Sequence, residues 1–254
     1  MLTHREEKLL KGLAQRRIRE AEGCFLAEGV RLVEDLLASA IPARLLVYSS
    51  SLEDSARGRM LLEAAERLRV RAQPVSDAEL ARLADTQTPQ GVIAVAETPR
   101  SRLGDLAVER DPSVILVLDA VQDPGNFGTL VRTAEALGAV GVVALPGTVD
   151  AWNPKSVRAA MGSSLRLPIV GTLWDDAAPW MRANGFRILA GAADGEALGE
   201  RPSRAALVVG NEGSGVSVET RAHADQVVAI PLRGCAESLN VAAAAAILLY
   251  NLLL

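Results

Sequence analysis

Cysteine and histidine are scarce in these 254 residues, two of each, and the scarcity excludes whole classes of function. Cys24 and Cys235 make no disulfide framework, and beside them His4 and His223 stand at no metal-ligand spacing, so no metal centre is expected. Long apolar runs are missing too: the longest, residues 241–250, falls far short of the roughly 20 residues that cross a bilayer. With no N-terminal secretory pattern either, the expectation is a soluble cytoplasmic protein without a membrane partner. Internal repeats and low-complexity segments are absent. So are the Lys and Ser/Thr that complete a Walker loop and the G-x-G-x-x-G spacing of a dinucleotide fold, which removes the common nucleotide-binding readings.

What the chain has is apolar material, 49% of its residues, enough for one large or two modest domains. Its formal net charge of −4 argues against general coating of nucleic acid. The start departs from that mean, because Arg5, Lys8, Lys11, Arg16, Arg17 and Arg19 face only Glu6 and Glu7. Residues 1–20 therefore read as a basic helix or arm, which either neutralises phosphates or is a solvated helix face.

Residues 21–97 read as a small α/β domain, with strands at 24–28, 44–48, 70–75 and 91–96 and helices at 30–38, at 51–69 and from Ser76 onward. Residues 98–113, rich in charge, Pro and Gly, read as a linker. Over residues 114–254, strands at 114–118, 140–145, 185–191, 205–210 and 226–230 alternate with helices that include 154–162 and 239–254. Such alternation means a parallel sheet covered on both faces, with ligands gathered beyond the carboxyl ends of the strands. The last helix is apolar nearly all round and is expected to be buried.

Three polar loops fall at those carboxyl ends. The first, DPGNFG at 123–128, leads into a helix with Asn126 as its expected N-cap and Gly138 as its end. Arg132 follows Gly128 by four residues, so its side chain leans over the space that the glycine leaves and can run back toward the turn. A cation there opposes the helix dipole by about 0.3–1 kcal/mol, which suggests a purpose. The alternatives are a side chain in solvent or one paired with Glu135 or Asp123. The second loop, GNEGSG at 210–215, either brings backbone N–H groups and the Glu212 carboxylate to a ligand or is a tight connection. The third, LRGCAESLN at 232–240, holds Ser238, placed to cap the last helix, and Asn240, whose amide donates and accepts together as recognition of a ribose or base needs.

DPGNFGTLVRTAEALGA resembles the first motif of the SpoU/TrmH branch of the SPOUT methyltransferases, Asn-x-Gly-x-x-x-Arg. GNEGSGVS is similar to the second motif and IPLRGCAESLNVAAAAAILLY to the third, and FLAEGVRLV is similar to the opening of the family's substrate-binding domain. The resemblance implies an α/β fold in which a parallel-sheet SPOUT domain with a C-terminal trefoil knot, residues 114–254, follows a small α/β substrate-binding domain. It implies a homodimer built on the catalytic domain. It also implies S-adenosylmethionine as cofactor, held by backbone around Gly210, Asn211, Gly215, Ile230, Leu232 and Leu239. The implied reaction is methylation of an RNA ribose 2′-hydroxyl, in 23S rRNA, with tRNA as the alternative substrate. Carried over by motif position, the catalytic set is Asn126, Arg132, Glu212, Ser238 and Asn240, with Asn126 orienting Arg132. The expected RNA contacts are Arg16, Arg17, Arg19, Arg132, Lys155 and Arg158. Ala242 departs from the family pattern, in which many members carry Ser after the SLNV run. Two rival readings are a silent module that binds cofactor and RNA without turnover, and a nucleotide-dependent oxidoreductase, whose glycine fingerprint is missing.

Overall fold

The computed structural model describes residues 2–106, 108 and 111–254. They form two compact units, one of the residues up to Pro99 with Trp152–Leu165, the other of Arg100–Ala151 and Arg166–Leu254.

The first unit begins with α1 (His4–Gly12) and α2 (Arg16–Glu22), followed by β1 (Cys24–Glu28), α3 (Val30–Ala38) and β2 (Ala43–Ser49). Next come α4 (Ser50–Asp54), α5 (Ala56–Arg67), β3 (Arg71–Val75), α6 (Asp77–Leu83) and β4 (Val92–Glu97). The sheet order is β1-β4-β2-β3, with β4 antiparallel to both neighbours and β2 parallel to β3. Two expectations change here. The helix expected over 51–69 is two helices, because Ser55 caps the second through the Gly58 N–H, and a Cβ on Gly58 would stand 1.9 Å from the Leu52 carbonyl oxygen. The basic start is likewise broken, and Arg19 turns inward: it is 4% exposed and donates to the carbonyls of Leu13 at 2.7 Å and Ala14 at 2.9 Å. Those carbonyls lie where α1 ends, so Arg19 satisfies groups that the helix leaves open and is not available to a phosphate.

The second unit opens with β5 (Ser113–Leu118), α7 (Pro124–Leu137) and β6 (Gly141–Ala144). The chain then gives α8 (Pro154–Ala159) and a 3-10 turn (Ser163–Leu165) to the first unit. It continues with β7 (Ile169–Gly171), α9 (Trp174–Ala183), β8 (Arg187–Ala197), β9 (Arg204–Val209), α10 (Val218–His223), β10 (Gln226–Ala229) and α11 (Val241–Leu253). Sheet order is β10-β8-β9-β5-β6-β7, parallel throughout. All six residues of β5 are buried, as a strand covered on both faces requires. Since β5 and β9 are neighbours and parallel, the turn after Leu118 and the loop after Val209 emerge side by side.

Residues 152–165, expected in the methyltransferase domain, cluster instead with the first unit. The cause is apolar matching: Val157 and Leu165 enter that unit's core, and the Trp152 ring lies 4.6 Å from Phe25, tilted by 43°. The expected linker, 98–113, is not all linker. Leu106 is buried and Leu103 packs in the core of the second unit, β5 already starts at Ser113, and Ala107, Glu109 and Arg110 lie outside the described residues. The last helix also departs from expectation. One face of α11 (Ala242, Ala245, Leu248, Leu249, Leu252) is buried against α7, β9 and β5, whereas Ala243, Ile247, Tyr250 and Leu254 are exposed. No helix among the described residues is long and apolar enough to cross a membrane.

Candidate active site

The helix after β5 starts earlier than its apolar pattern suggests. Asp123 is the N-cap of α7, accepting from the Asn126 N–H at 2.7 Å, and Pro124 occupies the first turn, where its missing N–H costs nothing. Asn126 is therefore inside the helix and not its cap, which frees its side chain. Gly138 ends α7 in the left-handed region, as expected. At the far end of the site, Asn240 and not Ser238 caps α11: its Oδ1 accepts from the N–H groups of Ala242 at 2.9 Å and Ala243 at 3.3 Å.

That cap sets the orientation of a relay across all three loops. With its oxygen committed to α11, the Asn240 amide turns its Nδ2 to Asn126 Oδ1 at 3.1 Å. Asn126 must then present its own Nδ2 to the remaining neighbour, and it donates to Glu212 Oε1 at 3.1 Å. The Glu212 carboxylate also accepts from the backbone N–H groups of Gln122 at 3.1 Å and Asp123 at 3.0 Å. Each loop thus supplies one member, and neither amide can flip without losing a bond at both ends.

Burial pushes the Glu212 carboxyl up, but the Asn126 amide and the backbone N–H groups outweigh it and hold the group below its ordinary 4.5. A carboxyl so depressed contributes stability above the unfolded value and loses it as pH falls through the folded one. Glu212→Gln is accordingly expected to lower the melting temperature at pH 7, by the equivalent of about 0.5–1 kcal/mol, because solvent screens the exposed carboxylate. Scanning calorimetry should show the gap between variant and wild type narrowing as pH falls below the ordinary carboxyl value; a gap that widens toward acid would refute the assignment of charge to Glu212.

Arg132 is exposed and makes no hydrogen bond or ion pair among the described residues. The carboxylates that might tie it are engaged elsewhere, since Glu135 pairs with Arg166 at 3.0 Å and Asp123 caps α7. Asn126, expected to orient Arg132, bonds to Glu212 and Asn240 instead. A free guanidinium thus stands on a helix whose first turn is locked.

The second loop closes on itself through reciprocal backbone bonds between Asn211 and Gly215, both 2.9 Å. Inside it, Asn211 Oδ1 accepts from the N–H groups of Gly213 and Ser214, and its Nδ2 reaches the Ala120 carbonyl at 3.0 Å. In the third loop, residues 231–239 make no hydrogen bond among the described residues, and Leu232, Ser238 and Leu239 are exposed. Of the expected RNA contacts besides Arg132 and the inward-turned Arg19, Arg17 and Lys155 are exposed, Arg16 pairs with Glu20 at 2.7 Å, and Arg158 pairs with Asp85 at 2.7 Å.

A family model described as the SpoU rRNA Methylase family matches residues 113–250, the stretch that holds every member of the relay. The chain belongs to that family. A second model, the MRM3-like substrate binding domain, matches residues 6–94. Among relatives, the 23S rRNA (guanosine(2553)-2′-O)-methyltransferase RlmP of Bacillus subtilis is 38% identical over 246 residues, covering 95% of this chain and 93% of its own. A 23S rRNA (uridine(2479)-2′-O)-methyltransferase of Streptomyces viridochromogenes is 33% identical over 254 residues, covering 94% of this chain and 85% of its own. Among solved structures, the SpoU methyltransferase AviRb of Streptomyces viridochromogenes in complex with AdoMet matches with a TM-score of 0.90 at 30% identity, covering 99% of this chain and 97% of that one.

One residue of this SpoU site escaped the sequence reading. Asp119, 6% exposed at the end of β5, accepts from the Ser217 N–H and the Thr220 hydroxyl, both at 2.6 Å, and so anchors the far end of the second loop. Next to it Ala120 adopts a φ of +57°, a left-handed conformation that an alanine rarely takes. An aspartate directly after the apolar buried run at 114–118 was the available signal.

Proposed function

We propose that this chain is an S-adenosylmethionine-dependent RNA methyltransferase acting on a ribose 2′-hydroxyl of 23S rRNA in the cytoplasm, with Arg132 as the group that acts on the hydroxyl. The observation that carries the reading is an unpaired Arg132 on the helix whose first turn takes part in a relay joining three loops of one parallel sheet. The cofactor fits the residues present. Residues 231–239 leave backbone donors and acceptors unspent, and at Gly215 and Gly234 open space stands where a Cβ would be. Backbone around Gly210, Asn211, Gly215, Ile230, Leu232 and Leu239 would hold it, in a C-terminal segment threaded as a trefoil knot.

S-adenosylmethionine supplies a methyl group on a sulfonium, whose departure needs no acid. The protein's task is therefore to place the ribose oxygen, whose proton is lost to water, and to lower the cost of charge on it. The Arg132 guanidinium is a poor proton acceptor but a strong donor of paired hydrogen bonds, and it stabilises the developing alkoxide. Asn126, Glu212 and Asn240 hold the loops so that Arg132 and the cofactor backbone keep one geometry. Ser238, unpaired and exposed, is free to reach the ribose. Arg17 and Lys155, with Arg5, Lys8 and Lys11, are the exposed cations that meet RNA phosphates. Transfer of a labelled methyl group from S-adenosylmethionine to 23S rRNA tests the reading; binding of cofactor and RNA without transfer would favour a silent module.

The exposed face of α11, with Ile247 at 40%, Tyr250 at 58% and Leu254 at 68%, supports a homodimer through this helix. Ile247→Asp is expected to give a monomer by light scattering at micromolar concentration and to lower activity with it. A wild-type monomer in the same measurement would contradict the dimer.

A further inference from the structure

The first unit carries a cavity of about 370 Å³, lined by Glu28, Gly29, Arg31, Gln90, Arg158 and Met161 among others, that the methyl-transfer site does not use. It lies at the turn from β1 into α3. Gly29 takes a φ of +104° there, and a Cβ at this position would come 3.0 Å from Gln90 Oε1. Gln90 Oε1 accepts from the Val30 N–H at 3.3 Å, whereas its Nε2 has no acceptor among the described residues. Gly29 gives α3 no side-chain cap, and the N–H groups of Arg31 and Leu32 are left without acceptors among the described residues.

Its charges are arranged for an anion. Arg31 is exposed and unpaired among the described residues. Arg158 spends one arm on Asp85, while its Nη1 is buried without a hydrogen-bond partner, 3.8 Å from Glu28. The two acids on the wall are already engaged: Glu28 accepts from the Asp85 N–H at 2.9 Å and from the Thr86 hydroxyl, and Asp35 has a partner of its own. Met161 supplies the apolar side. It is 43% exposed on a backbone with a φ of +50°, a costly arrangement for a methionine that only capped a helix.

We infer that this cavity takes one unstacked nucleotide of the substrate RNA. A phosphate meets Arg31 and the first-turn amides of α3, the base lies on the Met161 side chain, and the free Gln90 amide reads its edge. The volume falls within the range of small-ligand pockets. A base inside a duplex cannot present its face to such a cavity, so the unit reads a single-stranded loop or bulge. The inference rests on the proposed reading of the chain as an RNA methyltransferase.

The test uses the full chain, with fluorescence anisotropy on a 23S rRNA transcript as the binding arm and steady-state methylation of the same RNA as the kinetic arm. Arg31→Ala is expected to weaken binding on the order of tenfold and to flatten the log–log salt slope by about 0.7. Met161→Asn keeps a residue that tolerates a positive φ and removes the apolar surface; it is expected to weaken binding several-fold at unchanged slope. Both variants should raise KM for RNA with kcat and S-adenosylmethionine affinity as in wild type. An excess of fully duplex RNA should compete poorly. Wild-type binding by both variants, or equal competition by duplex RNA, overturns the cavity assignment. Loss in Arg31→Ala alone also overturns it, since a phosphate contact without a base is then sufficient. Failure of the parent reading is separate, because it shows as no methylation by wild type while the binding arm still reports on the cavity.

Discussion

Arg132→Ala is expected to abolish methyl transfer, a loss of at least 10²–10³-fold, while S-adenosylmethionine affinity stays within a few-fold of wild type. The separation follows from where the two functions reside. Arg132 stands on α7, exposed and bound to nothing among the described residues, so its removal disturbs no packing and no cap. The backbone proposed to hold the cofactor belongs to the loops after β9 and β10. Arg132→Lys should be nearly as poor, because an ammonium keeps the charge but cannot offer two parallel N–H groups. Single-turnover assays with saturating RNA, beside calorimetric titration of S-adenosylmethionine, read both quantities. Turnover near wild type in the alanine variant would remove Arg132 from the mechanism.

Gly210→Ala should be the more disruptive substitution although it adds a single methyl group. A Cβ on Gly210 would stand 2.1 Å from the carbonyl carbon of Gly215 and 2.2 Å from its oxygen, and backbone cannot rotate away as a side chain does. The paired bonds between Asn211 and Gly215 must then break, and Glu212, which lies between them, leaves its N–H donors. A cost of roughly 2–4 kcal/mol in stability is expected, together with loss of the thermal shift that S-adenosylmethionine gives wild type. Gly213→Ala is the control. Its Cβ would meet nothing nearer than Asn211 Oδ1 at 3.6 Å, so it should melt and bind as wild type. Equal behaviour of the two variants would show that close packing of the second loop is not what shapes the site.

Much of this arrangement was legible in the chain, and the failures have identifiable causes. Strands such as β5 and β10 read correctly because short β-branched runs between turn residues have few other uses. The caps read wrongly, Asn126 for Asp123 and Ser238 for Asn240, because several good capping residues stand within three positions and only the three-dimensional partners decide among them. Both misreadings hid the same fact: Asn126 and Asn240 spend their side chains on the relay. Arg19 looked like part of a basic arm, but a break after α1 brings open carbonyls within its reach. Residues 152–165 alternate like the rest of the second half, and local pattern carries no information about which core Val157 and Leu165 enter. β7, only three residues long, lies below what periodicity resolves.

The central claim is that the product is a ribose 2′-O-methyl group placed by this site. The most direct measurement incubates unmodified 23S rRNA with wild-type protein and S-adenosylmethionine, digests the RNA to nucleosides, and identifies the methylated species by mass spectrometry. The expected result is a single 2′-O-methylnucleoside, near one per RNA with wild type and absent with Arg132→Ala. A methyl group found on a base, or 2′-O-methylation that persists in the Arg132→Ala variant, would contradict it.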